Sequence, residues 1–443
     1  MCYGLDFGTS NSAIGLRTAE TVRLVPLSPT LSLPTLLFLG RNGDIWVGHE
    51  AAAAYVARNV GRTIVPERLV RSQIIETVFG DEYVQFDVDL ALPGRFFQVL
   101  KRSLPEVSFE GTDVFGTYYT VEDLVALILR VMKDRADAHF GHACAAVLLG
   151  RPVRFAEDPV ADALAEARLR RAAELAGFTD VAFLYEPLGA AWHYRQAHRR
   201  AGTAFVFDFG GGTLDFSVVR WAGPRDAGEV LGVGGVLVGG NTLNEDIMEQ
   251  RLLRYFGEDV TWRSRPGKRL PLPRHIFDRL RTWYTIHQLN QRQLMAFLEE
   301  VQRAASDPVQ VAALISLVVR NYGWDLFTVI EAAKCALSTA EETVLDFQRP
   351  AIDIYQRLTR REFEQIIAPR LAEIDRGIQR TLAEAGLDAA AIDVVLCTGG
   401  SSLIPCVQRL LARRFGKEKL LRQDAFTSVV SGLAAAASEE RGV

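Results

Sequence analysis

Asp208-Phe209-Gly210-Gly211-Gly212-Thr213-Leu214-Asp215 is the stretch on which the reading of this 443-residue chain turns. Phe205–Phe209 is apolar and reads as a strand, three glycines follow, and Leu214–Arg220 returns as a second strand. This is a hairpin whose turn carries almost no side chains. The same pattern stands at the N-terminus: Tyr3–Phe7 is a short strand, Gly8-Thr9-Ser10-Asn11 a turn, and Ser12–Arg17 the returning strand. Two Asp-Phe-Gly hairpins roughly 200 residues apart, each with a threonine in its turn, point to one fold used twice.

A phosphate needs backbone N–H groups close by and no side chain in the way, and glycine supplies both. Gly8, Gly210, Gly211 and Gly212 are placed for this, and Thr9, Ser10 and Thr213 add hydroxyl donors. Asp6 and Asp208 sit at equivalent strand ends. Magnesium prefers oxygen ligands and keeps several waters, so a few carboxylates holding those waters suit it. Taken singly, either aspartate is explained as well by satisfying its own turn.

A third glycine turn, Gly399-Gly400-Ser401, joins the strand Val394–Cys397 to a helix over Pro405–Phe415. It would bring backbone close to a ribose or an α-phosphate, or serve only as a strand-to-helix turn. Glu331, Lys334 and Ser338 recur at helical spacing among Ala, Val and Leu, so they share a face. That face is either the solvent side or the side of an adenosine. Gly232–Gly240 lacks the spacing of a dinucleotide fingerprint and reads as a strand turn leading into a helix after Asn241. No Gly-x-x-x-x-Gly-Lys-[Ser/Thr] occurs. A Rossmann dehydrogenase is therefore disfavoured.

The length suits two lobes or more. Apolar residues at 49% and charged residues at 23% fit a globular protein. The formal charge of -4 argues against nucleic acid or an acidic membrane as the partner of the whole chain. The five cysteines are widely spaced with no Cys-x-x-Cys, which speaks against a disulfide framework or a zinc site and for a reducing compartment. With no leader pattern and no apolar run of ~18 residues, the expected location is the cytoplasm. Helices are expected at Glu50–Asn59, at Val121–His139 behind a Thr120 cap, at Asp158–Gly177, from Glu186, and at Val429–Glu439. Further strands are expected at Thr35–Leu39, Ala145–Leu149 and Val181–Leu184. Residues 255–330 stand apart, largely helical by pattern, with Trp262, Trp283, Tyr284, Tyr322 and Trp324 and a basic run of Arg263, Arg265, Lys268, Arg269, Arg274, Arg279 and Arg281. Such a run is a solvated helical face, or a surface for nucleic acid or for a partner.

Together these motifs resemble the DnaK-type heat-shock chaperones of the actin/hexokinase superfamily. Asp6–Asn11 is similar to the family's first phosphate hairpin, and Asp208–Asp215 to its second nearly letter for letter. Glu186-Pro187-Leu188-Gly189-Ala190-Ala191 is similar to the segment between them, and Leu100-Lys101-Arg102-Ser103-Leu104 to the segment with the family's catalytic lysine. Gly239-Gly240-Asn241, Glu331 with Lys334 and Ser338, Leu358–Glu364 and Gly399–Ser402 follow in the family's order. The long stretch before Glu331 looks most like that of the YegD-type chaperones.

The resemblance implies an α/β, actin-like ATPase fold, ribonuclease H-like, in two duplicated lobes with mixed sheets flanked by helices. Lobe I would be residues 1–200 with 421–443 returning to it. Lobe II would be residues 201–420, with a helical insert at about 255–330. It further implies ATP or ADP with magnesium in the cleft. Asp6, Glu186 and Asp208 would hold the ion's water shell. Lys101, with Glu186 and Asp208, would form the catalytic set against the γ-phosphate and the attacking water. Gly8, Thr9, Ser10, Asn11, Gly210, Gly211, Gly212, Thr213, Gly239 and Gly240 would contact the phosphates, with Asp215 supporting the water network. Glu331, Lys334, Ser338, Gly399, Gly400 and Ser401 would face the adenosine. The implied activity is a weak ATPase of chaperone type, with a protein partner or client engaged through the 255–330 insert.

Leu403 stands where the family usually has an arginine against adenine, and Cys335 where a basic residue is common; both imply a looser adenine clamp. Asn11 also departs from the usual residue after the hairpin. The chain stops after the Val429–Glu439 helix, so the expectation is a nucleotide-binding domain without the peptide-binding domain. An actin-like filament protein and a sugar or acetate kinase of the same superfamily are the alternatives, and Thr359–Glu364 favours the chaperone branch over both.

Overall fold

In a computed structural model, residues 1–18, 21–27, 29–64, 67–77, 80–88, 91–197, 200–223, 226, 228–265, 267–422 and 428–439 are described. The chain divides into two compact units. The first takes residues 1–54, 94–242 and 368–443, and the second 55–93 and 243–367.

The first unit holds two mixed sheets of matching topology. In chain order the strands of the first are β1 (Tyr3–Phe7), β2 (Asn11–Arg17), β3 (Val22–Leu24), β4 (Leu33–Pro34), β5 (Ala146–Arg151) and β6 (Asp180–Tyr185). They run in the order β6-β5-β1-β2-β3, with β4 also on β2. The second sheet contains β7 (Gly202–Phe209), β8 (Leu214–Trp221), β9 (Glu229–Val236), β10 (Val394–Thr398) and β11 (Leu420–Arg422), in the order β9-β8-β7-β10-β11. In each, one central strand has its antiparallel hairpin partner on one side and a parallel strand on the other. The duplication visible in the two hairpins therefore extends to whole sheets.

Helices cover these sheets because strands buried on both faces must hide apolar side chains above and below. α1 (Val121–Phe140) begins at a capping box in which Thr120 and Asp123 satisfy each other's backbone N–H groups. α2 (Pro159–Leu175) begins at Asp158 with proline in its first turn, and the chain leaves it through Gly177 at φ +100°. Both share a core with the first sheet: Tyr3, Leu5, Phe7, Leu124, Ile128, Leu149 and Leu169 are buried together. On the other face lie α3 (Glu186–Ala197), behind β6, and, far along the chain, α6 (Ser428–Glu439). A methyl on Gly4 of β1 would fall 2.2 Å from the Ala434 backbone nitrogen, and one on Gly432 would fall 1.8 Å from the Gly189 carbonyl oxygen. Glycine is required at both because α6 touches β1 and α3 backbone to backbone.

The second sheet is covered by α4 (Ala368–Glu384) and α5 (Pro405–Phe415), the latter through Phe415, whose ring lies 5.0 Å from that of Phe205. Here one expectation fails. Gly232, Gly234 and Gly235 lie inside β9 and not in a turn. Gly232 and Gly234 are there because α4 packs directly on the strand: a methyl on Gly234 would sit 2.2 Å from Thr381 Oγ1, whereas one on Gly235 would lie 3.2 Å from Asp215 Oδ1.

The second unit contains further helices and the hairpin Glu342–Arg349/Ile352–Thr359. Tyr55, Trp283 and Trp324 stack edge to face, with Trp283 and Trp324 centroids 4.8 Å apart. These aromatics of the 255–330 stretch are thus packing residues. The stretch is helical in part only: Thr261–Arg265 and Lys268–Pro271 form a two-stranded antiparallel ribbon. Among the described residues no single helix is long and apolar enough to cross a membrane.

Candidate functional site

The turns of the two hairpins face each other within the first unit. A methyl on Gly211 would lie 2.4 Å from Ser10 Oγ, and one on Gly212 3.3 Å from Thr9 Cγ2. Each turn is braced from behind. Thr35 donates from Oγ1 to the Gly8 carbonyl (2.9 Å) and from its N–H to the Ser10 carbonyl (2.9 Å). On the other side the Gly240 and Asn241 N–H groups donate to the Gly210 and Gly211 carbonyls at 3.0 and 2.8 Å. A methyl on Gly239 would meet the Gly211 oxygen at 2.4 Å, so Gly239 is a brace pressed against the second hairpin. Gly399, at φ +75°, has no room either: a methyl would lie 2.2 Å from the Phe209 carbonyl oxygen.

Below the turns the ionisable groups converge. Lys101 lies on a short turn, Leu100–Ser103, entered through Val99 at φ 53°. For a β-branched residue that conformation is strained, and it turns Lys101 inward. Lys101 Nζ donates to Glu186 Oε1 at 2.6 Å, with side-chain exposures of 9% and 16%. Loss of hydration, then the charges of Glu186 and Asp208, push Asp6 up to about 8, with Lys101 acting the other way. Burial and Glu186 also raise Asp208, although Thr398 donates to its Oδ1 at 2.9 Å. Burial alone would lower Lys101, but Glu186, Asp6 and Asp208 together raise it. Asp215 opens onto the cavity yet is held among protein atoms; desolvation and Asp208 push it up to about 6, while Thr213 donates to it at 2.9 Å. A cavity of about 420 Å³ reaches Glu186, Asp208, Asp215 and Thr398 from the side of Pro152–Glu157 and β9.

Thus Asp6, Gly8, Thr9, Ser10, Lys101, Glu186, Asp208, Gly210–Gly212, Thr213, Asp215, Gly239 and Gly240 come together in one unit, with Asn11 opening β2 and Gly399, Gly400 and Ser401 beside Phe209. Glu331, Lys334 and Ser338 belong to the second unit. Lys334 donates to Glu331 at 2.7 Å on the helix Gly323–Ala336. Burial would raise Glu331, but Lys334, Asn244 and Cys335 hold it below the usual range. Ser338 lies past the end of that helix, in the turn where its N–H donates to the Cys335 carbonyl. The helical face expected for all three therefore stops at Lys334.

Three polar residues escaped the sequence reading. Thr398 was legible in principle, since it closes β10 opposite Asp208 in parallel register. Thr35 and Asn244, whose Nδ2 donates to Glu331 at 2.6 Å, carry no local signal.

Residues 2–260 and 324–439 match the family described as Hsp70 protein. The chain belongs to the Hsp70 family. The residues between, 261–323, lie outside the Hsp70 match and include the basic ribbon. Among Hsp70-type relatives, the chain is 24% identical to heat shock 70 kDa protein 13 of Rattus norvegicus, over 99% of this chain and 88% of that protein. It is 24% identical to the chaperone protein DnaK of Thermus thermophilus, over 94% of this chain and 57% of the relative. With a chaperone protein HscA homolog of Azoarcus sp. it shares 26% identity, over 98% of this chain and 57% of the relative. The chain thus spans little more than half of those two bacterial proteins.

Proposed function

We propose that this chain binds ATP and ADP with magnesium and hydrolyses ATP slowly, as a chaperone-like ATPase that acts with a protein partner. The observation that carries this reading is the buried Lys101–Glu186 pair, flanked by Asp6 and Asp208 beneath two facing glycine turns.

The residues fit a hydrated divalent cation. Three carboxylates surround one ammonium, and burial first, then the charges of Glu186 and Asp208, push Asp6 up to about 8, so a cation beside it would be welcome. Among the described residues no three His, Cys, Asp or Glu groups stand close enough to hold an ion directly. Asp6, Glu186 and Asp208 suit an ion that keeps its waters. When bound, magnesium neutralises charge on the phosphates.

The turn N–H groups, with Thr9, Ser10 and Thr213, would bind phosphate oxygens. Lys101 Nζ, held by Glu186, would orient the attacking water and offset developing charge. Asp215 would order the surrounding water. Glu331, Lys334, Ser338, Gly399, Gly400 and Ser401 would take the nucleoside. Catalysis here rests on positioning and charge, since phosphoryl transfer asks little covalent chemistry of the protein. The two sheets would be the centres of the two lobes, 1–200 with 421–443 and 201–420. The cytoplasm is the location that fits free thiols at Cys2, Cys144, Cys335, Cys397 and Cys406.

Calorimetric titration with ATP and ADP, with and without magnesium, tests binding, and single-turnover hydrolysis by Lys101→Ala tests the mechanism. The expected result is magnesium-dependent nucleotide binding, with a hydrolysis rate reduced about 10²-fold in the variant. Failure of the native chain to bind either nucleotide overturns the proposal; unchanged hydrolysis in the variant overturns the role of Lys101.

A further inference from the structure

The ribbon Thr261–Arg265/Lys268–Pro271 has two faces of different character. On one, Trp262 lies opposite Leu270 and packs edge to face on Phe297 at 5.5 Å. The ribbon is anchored at the same end: the Thr261 N–H donates to Ser306 Oγ at 3.1 Å, and the Ser306 N–H to the Thr261 carbonyl at 2.7 Å. On the other face Arg263 lies directly opposite Arg269, both exposed. Lys268, next along, is exposed too.

Like charges directly opposite in an antiparallel pair repel and destabilise it. A carboxylate nearby would relieve the repulsion, and the same stretch uses that device elsewhere. Arg281 and Arg274 both reach Glu249, at 3.0 and 3.8 Å. Among the described residues no carboxylate pairs with Arg263, Lys268 or Arg269; the one side-chain contact is Arg269 to Thr261 Oγ1 at 3.5 Å. A rigidly anchored ribbon thus presents an unneutralised row of cations, in residues outside the Hsp70 match.

We infer that this face binds a short, extended, acidic segment of a partner protein. Guanidinium groups hold carboxylates through paired hydrogen bonds, and an extended segment brings every second side chain to one face. Charge bookkeeping favours a short segment over nucleic acid. Residues 261–281 contain seven Lys or Arg and one Asp, a net +6, whereas the whole chain is -4, leaving -10 elsewhere. A long polyanion would run off the ribbon onto surface of its own sign, while a short segment stays on the cations. The inference does not depend on nucleotide binding.

The test is fluorescence anisotropy of the full chain with a labelled glutamate-serine repeat peptide, and separately with labelled single-stranded and duplex DNA, at low and moderate salt. The variant is Arg263→Gln/Arg269→Gln. Two exposed ion pairs are together worth about a tenfold change in affinity at low salt. The expected result is salt-sensitive peptide binding that weakens about tenfold in the variant. Relief of the cross-strand repulsion leaves the variant at least as thermally stable as the native chain, which separates lost binding from lost fold. No binding of the peptide, equal binding by the variant, or tighter binding of DNA that the variant also loses would each overturn the inference.

Discussion

Gly239→Ala isolates the bracing of the second phosphate hairpin. The new methyl would stand 2.4 Å from the Gly211 oxygen and 2.4 Å from the Gly212 carbonyl carbon, about 0.6 Å inside the 3.0 Å that real contacts respect. Both obstructing atoms are backbone, so no rotamer change relieves the overlap. Gly239 is not among the glycines at positive φ, so alanine brings a steric penalty without a conformational one. Overpacking of this kind costs about 1–3 kcal/mol, against a gain of roughly 0.4–1 kcal/mol from stiffening the unfolded chain. The net expectation is a loss of about 1–2 kcal/mol. Function should suffer more, because the hairpin must shift by a sizeable fraction of an ångström. A misplacement of about 1 Å at a positioned site costs ~10²-fold. Denaturant unfolding gives the stability, and calorimetry and single-turnover hydrolysis give binding and rate. A variant as stable as the native chain, with unchanged nucleotide affinity, would refute the claim that Gly239 holds this turn.

Two further outcomes follow from the carboxylates. Asp6 sits at about 8 against an ordinary 3.8, so the folded chain binds a proton there that the unfolded chain releases. Its contribution to stability is full below pH ~4 and is lost as pH rises through ~8. Without metal, stability should fall across that window, and Asp6→Asn should flatten the fall; thermal unfolding at several pH values checks it, and a parallel decline in the variant rejects it. Thr398→Val removes the hydroxyl that donates to Asp208. Magnesium-dependent nucleotide affinity should drop about tenfold to a hundredfold for one lost hydrogen bond to a charged group, measured by titration; an unaltered affinity would show that Asp208 needs no such support.

The sequence revealed what is repeated or locally encoded. The two Asp-Phe-Gly hairpins announced themselves, and the register of Asp208 against Asp215 and of Phe7 against Ser12 follows from the short turns between them. Helix starts were readable because Thr120 and Asp158 satisfy backbone donors a few residues away. The misreadings fall where distant chain decides. Gly232 and Gly234 of β9 look like a turn until α4 arrives to require them. Glu331 and Lys334 were found by their spacing, but their partner Asn244 is 87 residues from Glu331, and nothing local marks it. The ribbon at 261–271 was hidden by its arginines, which suit a helix surface as well as an exposed strand.

The backbone contact of α6 with β1 and α3 has a consequence for how the first unit folds. Gly4 of β1 lies against the backbone of Ala434, 430 residues further along the sequence. The central strand of the second sheet likewise waits for β10, nearly 190 residues downstream of it. Both sheets therefore wait on contacts of long sequence separation, whose loop closure costs entropy before the contacts reward it, so the first unit should fold slowly. Until those contacts form, the apolar faces of both sheets lie open, and it is in that interval that the chain is most exposed to aggregation.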